Sequence, residues 1–245
     1  MVKVKQPHLL VIGGTGFIGY NLLLVAKKKG WKLTSVSLRY PKKDRYIKDV
    51  NYVLANVSNL LELKKIAKKN NTVLIFDEIT SGWRINSGGA HKMTKVDPDM
   101  VIYGKTIANG IPMSAIIGKK EIMGYALKTF ISSTFWTERI GSVAGLKTLE
   151  VMKKIKSWEK ISNTGRQVAK GWNNLAEKYE LNIKLTGISA IPMFSFEYDH
   201  KLAYKTFLTQ EMLKKGFLAN TSFYSSVSHS KDILEEYFYE LDIVF

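Results

Sequence analysis

The chain contains no cysteine. That excludes disulfides, cysteine zinc sites, iron–sulfur clusters and a thiol nucleophile together. Proline is sparse, 5 in 245 residues, and no Gly-, Ser- or Pro-rich linker divides the chain. Repeats and low-complexity segments are missing as well. No apolar run approaches the roughly 18 residues needed to cross a bilayer. The opening Met1-Val-Lys-Val-Lys-Gln-Pro7 has no secretory pattern, so the cytoplasm is the expected compartment and no membrane partner is expected. Neither a His-x-x-x-His spacing nor an acid cluster suggests a metal. Arginine is scarce too: 37 basic residues include only 5 Arg.

What is present fits a globular protein, 45% hydrophobic and 24% charged. The net charge of +16 is unevenly placed. Residues 1–70 carry 15 basic and 3 acidic side chains, against 22 and 18 in residues 71–245. Specific readers of nucleic acid lean on Arg for bidentate contacts. The lysine excess therefore reads as a solvated surface rather than a nucleic-acid interface.

Apolar runs alternate with amphipathic stretches. Strands are expected at His8 to Ile12, Trp31 to Leu38, Asn51 to Ala55, Thr72 to Phe76, Val101 to Tyr103, Ala115 to Gly118 and around Ile191 to Glu197. Helices are expected at Phe17 to Lys29, with Phe17, Ile18, Leu22 and Val25 on one face, and at Leu60 to Lys69, with Leu60, Leu63, Ile66 and Ala67 inward. Val143 to Tyr179 reads as one or two helices with a break near Ser157-Trp158, followed by helices at Lys201 to Lys215 and from Lys231. The aromatics Phe223, Tyr224, Tyr237, Phe238 and Tyr239 are expected to pack a small C-terminal core. This alternation means α/β with a mostly parallel sheet and a Rossmann-like βαβ start.

The first strand runs into Gly13-Gly-Thr-Gly-Phe-Ile-Gly19 and then a helix. The spacing of Gly13, Gly16 and Gly19 suits a tight turn, close approach of a pyrophosphate and close helix–strand packing. The helix N-terminus adds free N–H groups. Arg39, after the second strand, suits a 2′-phosphate and so favours NADP over NAD, although a solvated loop cation is an equal reading. Residues 7–68 resemble the start of the extended short-chain dehydrogenases, the NAD-dependent epimerases and dehydratases. The resemblance implies NAD(P) at Gly13, Gly16, Phe17, Ile18, Gly19 and Arg39. The family's Tyr-x-x-x-Lys pair has no counterpart, since no tyrosine has a lysine four positions on.

A second signal begins at Asn71. Asp77-Glu78 ends an apolar strand, and Lys105 follows another, ahead of a turn of small residues. A lysine that forms a Schiff base needs a partly desolvated site. A pyridine cofactor used as an electron sink needs a carboxylate at its ring nitrogen. Taken singly, such acids and lysines are usually solvated strand ends. Taken in order, residues 60–245 resemble the class III (subgroup II) aminotransferases. Ser81-Gly-Trp-Arg-Ile-Asn-Ser-Gly-Gly-Ala-His91 is most similar to the glutamate-1-semialdehyde aminomutase branch. The resemblance implies fold type I and pyridoxal phosphate, with Lys105 as internal aldimine lysine and Asp77 at the pyridinium nitrogen. It places Ile79 on a ring face and Thr134 on the phosphate across a homodimer interface. It also implies a small amino substrate, with Lys105 shuttling the proton. Trp136-Thr-Glu-Arg139 departs from the family pattern after Thr134.

The expected organisation is a Rossmann-like fragment at 1–68, part of an aminotransferase large domain at 69–150 and its small α+β domain at 151–245. The family's N-terminal phosphate loop and stacking aromatic are not found, so activity is expected to be impaired. Two alternatives stand beside this reading: an NAD(P)-binding epimerase-like module, and a catalytically inactive fusion.

Overall fold

The computed structural model describes residues 6–56, 59–131 and 138–245. The chain forms two compact units. The first comprises Met1–Asp77, His91–Ile102 and Ile116–Ser132; the second comprises Glu78–Ala90, Tyr103–Ala115 and Ser133–Phe245.

The first unit opens with β1 (His8–Ile12), α1 (Phe17–Lys28), β2 (Lys32–Ser37), β3 (Val50–Leu54) and α2 (Leu60–Lys69). The three strands pair in parallel with β2 in the middle. A middle strand is covered on both faces, and β2 is buried from Leu33 to Ser37. Side chains alternate between faces along a strand. Leu33 packs with Val11, Leu23, Ala26 and Val50, whereas Val36 packs with Ala55 and Leu63. The helices α1 and α2 therefore cover opposite faces of this sheet. The inward positions expected for α2 hold: Leu63 and Ala67 are buried, Leu60 and Ile66 half-buried.

The apolar face expected for α1 does not pack. The helix seats itself by Leu23 and Ala26, while Phe17 is 75% and Ile18 80% exposed. Leu22 and Val25 are exposed as well. The reason is steric. Gly19 lies against the turn before the helix, where a Cβ would stand 2.4 Å from the Gly13 carbonyl oxygen. This close approach turns the Leu23–Ala26 stripe to the sheet.

A second sheet has the order β4 (Ile75–Asp77), β5 (Met100–Tyr103), β6 (Ala115–Gly118), with β4 and β5 parallel and Asp77 opposite Ile102. Asp99 ties its edges within the first unit: it accepts from the Leu74 N–H at 2.9 Å and pairs with Lys119 at 2.6 Å. The short α3 (Lys120–Met123) follows.

The second unit holds the long helices α4 (Arg139–Ile155) and α5 (Ser157–Lys178). Lys156 separates them in the left-handed conformation, at φ 49° and ψ 52°, one residue before the expected break. A hairpin follows, β7 (Ile183–Ile188) against β8 (Ile191–Phe196), antiparallel. Then come α6 (Lys201–Lys214) and α7 (Lys231–Val244), the latter capped by Ser230 on the Ile233 N–H. Their core gathers Trp172, Phe194, Phe196, Leu208, Met212 and Tyr237. The Trp172 indole N–H donates to the Tyr237 hydroxyl at 2.7 Å. Burial raises the Tyr237 pKa well above the ordinary phenol value, against a smaller opposing effect of the Trp172 bond. Of the C-terminal aromatics, Phe223 and Phe238 pack on this core, but Tyr224 and Tyr239 do not; they are exposed. On α7 the inward stripe is Leu234, Tyr237 and Leu241, which turns Tyr239 outward. Among the described residues no helix is long and apolar enough to cross a membrane.

Candidate functional site

The glycine loop lies in the first unit. Gly13 sits at φ +77°, a conformation an L side chain rarely adopts. The Gly16 N–H donates to the Gly13 carbonyl at 2.9 Å, and Gly16 is the residue before α1. Phe17 and Ile18 are exposed, as is Arg39, whose carbonyl accepts from the Ser37 hydroxyl. Asp77 lies in the same unit, exposed at the C-terminal end of β4.

The chain then enters the second unit as a tight loop. Glu78 is buried and accepts a hydrogen bond from the Ala90 N–H, which closes the loop. Tyr103 lies nearby; burial raises its pKa, and the charge of Glu78 raises it further. Gly82 has room for no side chain: a Cβ there would stand 2.7 Å from the Tyr103 ring and 2.8 Å from the Glu78 carbonyl oxygen. Trp83 stands edge-on to Tyr103 with ring centroids 4.7 Å apart. Glu78 is thus a closing acid of the loop, a role its sequence neighbourhood does not announce.

Lys105 follows Gly104 at the end of β5 and opens a short 3-10 turn, Lys105–Ile107. Its φ is +45°, left-handed for a residue with a full side chain. Such a conformation costs on the order of 1–3 kcal/mol and persists where its surroundings hold it. The holding contacts are present. The Lys105 Nζ donates to the Thr80 hydroxyl at 2.7 Å. The neighbouring Thr106 hydroxyl donates to the Gly82 carbonyl at 2.8 Å. Ile79 packs over Gly104, with its Cγ2 3.2 Å from where a Cβ would stand. The following turn uses Asn109 at φ +41° and Gly110 at φ +104°, the small-residue turn read from the sequence.

A cavity of about 690 Å³ opens beside Lys105, entirely within the second unit. Its walls include Arg84, Asn109, Lys147, Met152 and Tyr224. The Arg84 Nε donates to the Thr80 carbonyl at 2.7 Å, and its guanidinium lies over the Tyr224 ring, 5.5 Å from the centroid. Burial lowers the Arg84 pKa, only partly offset by Tyr224.

The structure thus brings Lys105 and Ile79 into one unit with Thr80, and places Asp77 and the glycine loop in the other. Thr134 falls outside the described residues. Sequence reasoning missed Thr80, Arg84 and Tyr224. The available signal was the position of Thr80 and Arg84 within the same short segment that follows Asp77.

The family model described as aminotransferase class-III matches residues 51–229. A 3-aminobutyryl-CoA aminotransferase of Cloacimonas acidaminovorans is 34% identical over 149 residues, 60% of this chain and 36% of the relative. A glutamate-1-semialdehyde 2,1-aminomutase of Sulfurihydrogenibium azorense is 30% identical over 191 residues, 71% of this chain and 45% of the relative. The chain therefore spans less than half the length of these relatives. Among solved structures, the FumI protein of Sphingopyxis sp., solved in its PLP internal aldimine form, superposes with a TM-score of 0.73 at 21% identity. The match covers 92% of this chain and 54% of that one. An omega-transaminase from Sphaerobacter thermophilus gives 0.71 at 18% identity, covering 94% and 55%. At 92% of the chain, the shared fold reaches upstream of residue 51.

Proposed function

From the premise that the chain belongs to the class-III aminotransferases, we propose that it binds pyridoxal phosphate through Lys105 and acts on small amino substrates. The observation that carries this is Lys105 itself: held in a left-handed backbone, anchored to Thr80, and facing a cavity. The cofactor fits the residues present. About 690 Å³ lies within the volume range of small-molecule sites. Among the described residues that line it, Lys105 supplies an amine and no carboxylate competes for it.

When bound, pyridoxal phosphate supplies an electron sink for charge developing beside a substrate amine. The chain's residues then have distinct tasks. Lys105 would hold the cofactor through Nζ and, when free, would move the substrate proton at that same nitrogen. Thr80 keeps the Nζ aimed between these events. Asp77 would hold the proton at the ring nitrogen, and Ile79 would cover a ring face. Thr134 would bind the cofactor phosphate across a homodimer interface. The three-part division at 68/69 and 150/151 belongs to this reading.

An absorbance titration with pyridoxal phosphate tests it. The unsubstituted chain should develop a visible band that borohydride bleaches, with reduced cofactor recovered on the Lys105 peptide by mass spectrometry. Lys105→Ala should lack both. An equal band in the variant, with label spread over surface lysines, overturns the assignment.

A second reading concerns the N-terminal segment. The left-handed Gly13 and the seating of Gly19 against its carbonyl favour a dinucleotide-type βαβ start. We propose that it takes NAD(P), with Arg39 at a 2′-phosphate. NADPH fluorescence should rise on binding, and Gly16→Val should abolish the rise. A rise that persists in the variant sinks this second reading.

A further inference from the structure

Thr80 holds two cations at once. Its hydroxyl accepts from the Lys105 Nζ and its carbonyl accepts from the Arg84 Nε, each at 2.7 Å. One residue therefore fixes the amine and the guanidinium near one another on the wall of the same cavity. Among the described residues, the charged side chains that line the cavity are all basic. Arg84, Lys105 and Lys147 line it, and among the described residues no Asp or Glu does. Lys147 is neutralised by Glu150 at 2.9 Å. Arg84 is not: its guanidinium meets the face of Tyr224, and among the described residues no carboxylate pairs with it.

The Arg84 guanidinium uses its Nε on the Thr80 carbonyl and its face on Tyr224, which leaves its outward fork available to a ligand in the cavity. The fork suits a planar, two-oxygen anion. We propose that Arg84 anchors the carboxylate of the substrate, so that the cavity takes short amino acids whose amine is presented to Lys105 and whose acid end meets Arg84. In its use of Lys105 this inference rests on the function proposed above. A phosphate on the cofactor has related chemistry, and the test separates the two.

The first arm uses the chain without cofactor. Butyrate should protect Arg84 from phenylglyoxal, followed by peptide mass, and butanol should not. Lys105→Ala should be protected equally well. Calorimetric affinity for butyrate should fall about tenfold or more in Arg84→Gln, the size expected for a hydrogen-bonded charge pair. Arg84→Lys keeps the charge and loses the fork, so it should fall between the two and carries the test if Arg84→Gln does not fold. Unchanged butyrate affinity in both variants overturns the proposal.

The second arm adds pyridoxal phosphate. Arg84→Gln should titrate with the cofactor like the unsubstituted chain. It should then need about tenfold more 4-aminobutyrate to change the visible spectrum, with butylamine unaffected. Weakened cofactor binding in Arg84→Gln assigns Arg84 to the phosphate and overturns the carboxylate role. If no Lys105-dependent band forms in any chain, the reading of Lys105 fails, while the first arm still decides Arg84.

Discussion

Lys105 sits in a backbone shape that its side chain disfavours. At φ +45° its Cβ crowds the neighbouring peptide, and only glycine avoids that crowding. Lys105→Gly should therefore unfold at higher urea than Lys105→Ala, by about 1 kcal/mol, although both lose the amine. Equal stabilities would remove the strain from the account. The residue scale also shows where sequence reading stops. Lys105 and Asp77 stand out as candidates in the sequence because each follows an apolar run. Thr80 and Arg84 do not: a threonine and an arginine in a polar loop carry no periodicity. Their role comes from a fold-back that puts one residue's hydroxyl and carbonyl under two cations.

Elements were legible where period and burial agree. The strands β1 to β6 and helix α2 lie within two or three residues of their expected bounds. Strand β7 was missed. Its residues Ile183-Lys-Leu-Thr-Gly-Ile188 are mostly exposed, and Gly187 at φ +89° breaks the run. Helix α1 shows the opposite failure, a strong apolar stripe on the wrong side. Leu23 is fully buried, while Phe17 is exposed. In chemical denaturation Leu23→Ala should cost about 2–5 kcal/mol. Phe17→Ala should stay within about 0.5 kcal/mol. A large loss for Phe17→Ala would restore the stripe as a packed face.

At the scale of the whole molecule, two signals compete within one chain. The first 70 residues carry a net charge of +12, supplied mostly by lysine. Lysine is a hydrated point charge without a fixed fork, so any hold on duplex DNA should be weak and blind to sequence. Fluorescence anisotropy on two unrelated duplexes should show equal affinities that vanish by about 200 mM salt. A preference above about tenfold between them would overturn this reading of the charge. The glycine loop made these residues resemble a dehydrogenase, yet the fold shared with transaminases extends into them. Sequence alone did not show this, because parallel βαβ units serve both folds with different turns. The cavity adds a last point. Among the described residues, those that line it, from Arg84 through the turn after Lys105 to α4, α5 and Tyr224, belong to the second unit. Those residues lie downstream of Glu78, so a recombination event that exchanges everything upstream of Glu78 leaves them unaltered.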